Sequence, residues 1–122
     1  MKVDPNTKPI VSWFSDEIAE DDIEFEWESM LEYLDDILKK VNPDGYWHCA
    51  VENFGWRKQS GCAYLKFNTA QEMISKVLPK CECSFRVFQE DKVLKIQNYH
   101  HDSPVGNEWY KLVPITFEQY EN

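Results

Sequence analysis

From Ile23 onward, apolar residues recur at steps of three and four: Ile23, Trp27, Met30, Leu31, Leu34, Ile37, Leu38 and Val41. That spacing is one buried stripe of an amphipathic helix, predicted over about residues 21 to 41. Asn42-Pro43-Asp44-Gly45 ends it. After Gly45 the period becomes two. Trp47, Cys49 and Val51 alternate with His48, Ala50 and Glu52, and Ala63, Leu65 and Phe67 alternate with Cys62, Tyr64 and Lys66, which reads as a hairpin. Thr69-Ala70-Gln71-Glu72 has the form of a capping box and opens a short helix through Met73, Ile74, Val77 and Leu78, halted at Pro79.

Three further strands are predicted. Cys83, Phe85 and Val87 alternate with Ser84, Arg86 and Phe88; a turn at Glu90-Asp91 leads back through Val93 to Tyr99; Trp109 to Ile115 completes the set. The order α-β-β-α-β-β-β implies an α+β fold, a mainly antiparallel sheet with two helices on one face. A chain of 122 residues has room for one domain, 1–122, with an N-terminal arm over 1–15 and a tail over 116–122. Pro9 to Phe14 is an edge strand or an extended arm, and the tail either frays or packs back through Phe117 and Tyr120. The sheet's second face, with Tyr64, Phe88 and Tyr99 among Lys66, Arg86 and Lys95, is partly apolar. It is expected to be covered by the arm and tail in a monomer, with a dimer as the other solution.

Charge changes the picture of the long helix. Eleven carboxylates lie between Asp16 and Asp36 with no Lys or Arg among them, while the rest of the chain is close to neutral and the whole carries −9. Acids crowd the first turns and Lys39-Lys40 close the last, which complements the helix dipole. Glu20, Glu24, Glu28, Glu32 and Asp36 nevertheless form a ladder of like charges at i, i+4, each step costing a few tenths of a kcal/mol. At ~1.5 Å rise per residue the carboxylates come about one per 3 Å, near the ~3.4 Å phosphate spacing of a nucleic-acid strand. Such a face suits a basic protein groove. The candidate partner-binding residues are Glu17, Glu20, Asp21, Glu24, Glu28, Glu32, Asp35 and Asp36, joined by Phe54, Trp56 and Arg57 in the first hairpin loop, where aromatics beside Arg are typical interface anchors.

The loop before the last strand is a second candidate site. His100, His101, Asp102 and Glu108 combine imidazoles and carboxylates that could take a metal or small ligand. Adjacent residues of a strand point to opposite faces, however, and Asp102-Ser103-Pro104 builds a turn on its own account, so no metal is expected. Cys81-Glu82-Cys83 lacks the C-x-x-C spacing of zinc and redox motifs, and Cys49 falls on the apolar side of its strand, where a thiol is inert. Phosphate loops, dinucleotide fingerprints and nucleophile elbows are absent from the sequence. Scattered basic residues on an acidic chain argue against direct nucleic-acid binding.

The expected protein is therefore a small acidic binding protein and not an enzyme. It acts on a basic protein partner as a nucleic-acid-mimicking inhibitor or adaptor and uses no cofactor. Without a secretory signal or an apolar run of membrane length, it is expected in the cytoplasm and off the membrane, with free thiols. Two alternatives are a metal- or ligand-binding enzyme centred on His100, His101, Asp102 and Glu108, and an acidic chaperone-like subunit that dimerises through its sheet.

Overall fold

The computed structural model describes residues 3, 4, 6–52, 61–78, 84–99 and 108–122. Within them the chain forms β1 (Val11–Trp13), α1 (Ile23–Val41), β2 (Tyr46–Glu52), β3 (Gly61–Lys66), α2 (Ala70–Val77), β4 (Ser84–Glu90), β5 (Val93–Tyr99), β6 (Glu108–Pro114) and α3 (Phe117–Glu121). All six strands join one antiparallel sheet in the order β1-β4-β5-β6-β2-β3. This is the α+β architecture that the alternating patterns imply, with α1 and α2 together on one face.

The stripe on α1 buries Leu34, Leu38 and Val41, and α2 adds Met73, Ile74 and Val77. Both helices pack on the inward-pointing residues of the sheet, among them Val87, Leu94, Ile96, Trp47 and Leu112. Register explains the continuity of that layer, since Val87 faces Ile96, Leu94 faces Leu112, and Leu112 faces Cys49 across successive ladders. Trp47 is fully buried, stacked on Phe67 at 5.2 Å, and its indole N–H donates to the Phe67 carbonyl at 3.1 Å. A buried indole needs that acceptor.

Gly45 makes the turn from α1 into the sheet. Its φ of +79° suits glycine, and a Cβ there would sit 2.8 Å from the Phe67 carbonyl oxygen. Asn42 fixes the same corner: its N–H donates to Leu38 and its side-chain amide donates to the Tyr46 carbonyl at 2.7 Å.

One of two expectations about the second face of the sheet needs correction. The arm does not lie across it. Val11–Trp13 instead pairs with β4 as an edge strand, and Trp13 meets Trp27 of α1 edge to face at 4.9 Å on the helix side. Alternation buries Val11 and Trp13 in the main core and leaves Phe14 for the other face, where its ring lies 5.1 Å from the Arg86 guanidinium. The tail does fold back: α3 sets Phe117 and Tyr120 against Tyr46 at 5.4 and 5.0 Å. Thr116 and Gln119 make a reciprocal capping box that starts α3. Further along this face Phe88 is buried against Trp109 at 5.7 Å.

Candidate functional site

α1 is shorter at its acidic end than the periodicity implies. Glu20–Asp22 form a 3-10 turn and the α-helix begins at Ile23. Asp21 and Asp22 are poor helix formers, and the Asp22 side chain makes no capping bond. Glu20 therefore stands outside the helical ladder, which runs Glu24, Glu28, Glu32, Asp36 over about 18 Å at ~1.5 Å per residue. These four, together with Glu17, Glu20 and Asp21, are exposed. Among the described residues none of these carboxylates takes part in an ion pair.

Asp35 is different. Its Oδ1 accepts the backbone N–H of Ala70 at 2.6 Å and so holds the first turn of α2 against α1. The N–H groups of a helix's first turn lack partners within the helix, and a carboxylate there is favoured by hydrogen bonding and by the dipole. Thr69 supplies a second cap by accepting the Glu72 N–H at 3.2 Å. Asp35 is thus a structural residue and leaves the set of candidate contacts.

Two aromatics enter in its place. Phe25 is 69% exposed and Tyr33 51% exposed, two of the four large hydrophobic side chains among the described residues that stand out in solvent. Phe25 lies about 200° around the helix from Ile23, in the same outward row as Glu28 and Glu32. The position of Phe25 was readable from the sequence, because it falls off the three-and-four stripe, whereas Tyr33, three residues after Met30 and four before Ile37, flanks that stripe. A search for carboxylates alone passes over them.

The other candidate residues are not brought to this surface by anything described. Phe54, Trp56 and Arg57 lie outside the described residues, as do His100, His101 and Asp102 of the loop. Glu108 opens β6, half-buried, and its carboxylate accepts a hydrogen bond from the Tyr110 hydroxyl at 2.5 Å. Among the described residues no group of three or more His, Cys, Asp or Glu is placed to hold a metal ion.

Among the described residues the thiols are divided between two strands. Burial pushes the Cys49 thiol up from 9.0 to about 11, which keeps it protonated and unreactive, whereas Cys62 is exposed. Two clefts remain. One of about 400 Å³ lies beside α3 and is lined by His48, Tyr64, Val113 and Gln119. The other, about 270 Å³, sets Lys66 and Lys76 against Asp44 and Glu72, with no dominant charge.

Comparison with protein-family models, with curated proteins and with solved structures finds no match for this chain. Among the described residues no helix is long and apolar enough to cross a membrane.

Proposed function

We propose that the protein works by binding a basic protein through the outer face of α1, as an inhibitor or adaptor that occupies a nucleic-acid-binding groove. The observation that carries this reading is an uncompensated carboxylate row on the outer face of α1 with the exposed Phe25 set in it. Solvation alone accounts for carboxylates on a helix surface. It gives no reason for a phenylalanine that is 69% exposed among them. A partner surface does, because interfaces join a charged rim, which steers association, to aromatic anchors that are desolvated on contact.

Mimicry rests on a rigid row of negative charge. Glu24, Glu28, Glu32 and Asp36 follow one another at ~6 Å along the helix axis, about two phosphate steps of ~3.4 Å, and need no bases to be recognised. The binding test is capture of partners from a cell extract, with the wild-type chain compared with a Glu20, Glu24, Glu28 and Glu32 to Gln variant. A basic nucleic-acid-binding protein should be retained by the wild type, lost with the variant, and released by added polynucleotide. Retention of the same partner by both proteins would remove α1 from the site, and indifference to polynucleotide would remove mimicry while leaving a basic partner.

A further inference from the structure

The sheet ends in two unequal edges. β1 is three residues long, whereas β3 at the far side is six. An edge strand presents a row of main-chain donors and acceptors to whatever can pair with it, and long edges are normally blunted. In β3 the outward row can be assigned residue by residue. The Phe67 N–H donates to the Gly45 carbonyl at 2.9 Å, and the register continues with Leu65 opposite Trp47 and Ala63 opposite Cys49. Ladder bonds alternate along an antiparallel strand, so Ala63 and Leu65 turn their main chain to β2 while Cys62, Tyr64 and Lys66 turn theirs outward.

One of these outward groups is already engaged, because the Lys66 carbonyl accepts from the Lys76 ammonium. Among the described residues the main-chain groups of Cys62 and Tyr64 have no such partner. Both side chains are exposed, Tyr64 by 51%, and Ala63 between them is exposed as well. Lys76 therefore closes one end of the edge and leaves a short open stretch centred on Ala63.

We propose that this stretch pairs with the same stretch of a second copy, forming an antiparallel two-fold dimer with Ala63 facing Ala63. In that register Cys62 of one copy lies opposite Tyr64 of the other, and each such pair exchanges two N–H to carbonyl bonds, four in all about the axis. Charge selects a second copy as the occupant. On a chain carrying −9, Gly61–Lys66 holds no carboxylate and a single Lys, so two copies meet here without opposing acids. The two Lys66 ammonium groups would stand roughly 20 Å apart along the paired strands, beyond the ~8 Å screening length at physiological salt. The small Ala63 at the axis lets the strands approach, while Tyr64 packs across to Cys62 on the other side. The pairing is short, so the dimer is weak and forms only at high concentration. It is independent of the α1 surface.

The test joins sedimentation of the full chain over a hundredfold concentration range to amide hydrogen exchange over the same range. A monomer–dimer equilibrium is expected, with the Cys62 and Tyr64 amides exchanging more slowly as concentration rises. Tyr64→Pro deletes an outward N–H without touching the ladder to β2, and should raise the dissociation constant about tenfold or more. Cys62→Pro, nearer the start of the strand, should act alike and serves if the first variant fails to fold. A monomer at every concentration would overturn the proposal. So would a dimer that both folded proline variants retain, or one whose exchange protection falls on β5 and β6 instead.

Discussion

The two long faces of α1 follow different rules. Its inner face repeats an apolar stripe that ends with Leu34 and Leu38 wholly buried, and each residue there answers to a neighbour in the core. Its outer face carries like charges at helical spacing, has no opposing Lys until Lys39 and Lys40, and leaves Phe25 and Tyr33 in water. Folding explains the first face completely. The second costs stability by repulsion and by exposing aromatics, so its explanation has to come from what the protein meets in solution.

The largest effect that would break this division is expected at Leu34. Leu34→Ala should cost about 3 to 4 kcal/mol in denaturant-induced unfolding, since the side chain is fully buried between helix and sheet. A loss under about 1 kcal/mol would mean that the inner face is not held as described. Next comes a pair of adjacent carboxylates. Asp35→Ala should cost about 1 to 2 kcal/mol by freeing the Ala70 N–H, whereas Asp36→Ala, on the exposed side, should change stability by no more than about 0.5 kcal/mol. Equal effects at the two positions would erase the distinction between the faces.

Much of this arrangement is legible in the sequence, because it is local. The stripe on α1, the β2–β3 and β4–β5 hairpins, and the Thr69 cap all depend on spacings within a few residues. What is not legible depends on distant partners. The last strand, β6, inserts between β5 and β2, and no periodicity specifies that choice. Three residues of β1 are too few to show a period, so the place of the arm is decided by Trp13 finding Trp27. Asp35 looks like its acidic neighbours until α2, thirty-five residues later, delivers the N–H it accepts. The Thr116 and Gln119 capping box that starts α3 goes beyond the expectation for the tail, which left fraying and packing back both open.

Alkaline pH sharpens the contrast from the core side. The Cys49 thiol is raised to about 11 in the folded chain and ionises near 9.0 when exposed, so the unfolded state loses its proton first as pH rises. Its contribution is fully present below about 9 and is lost as pH climbs to about 11. Cys49→Ala should therefore show a smaller fall in melting temperature across that interval than the wild type does. Parallel curves would mean that the thiol is solvated in the folded protein. The smallest change is expected on the outer face: replacing Glu20, Glu24, Glu28 and Glu32 with Gln should leave unfolding free energy unchanged or raise it by up to about 1 kcal/mol, as like-charge repulsion is relieved. A clear loss would make these carboxylates structural.

The direct test of the binding face is the salt dependence of affinity for the captured basic partner, measured with the wild type and with the four-Gln variant. If the outer face of α1 is the contact, the wild type binds more weakly as salt rises, and the variant shows both a lower affinity and a flatter slope. An unchanged affinity and slope in a folded variant would contradict the account, because the carboxylates would then be solvated and nothing more.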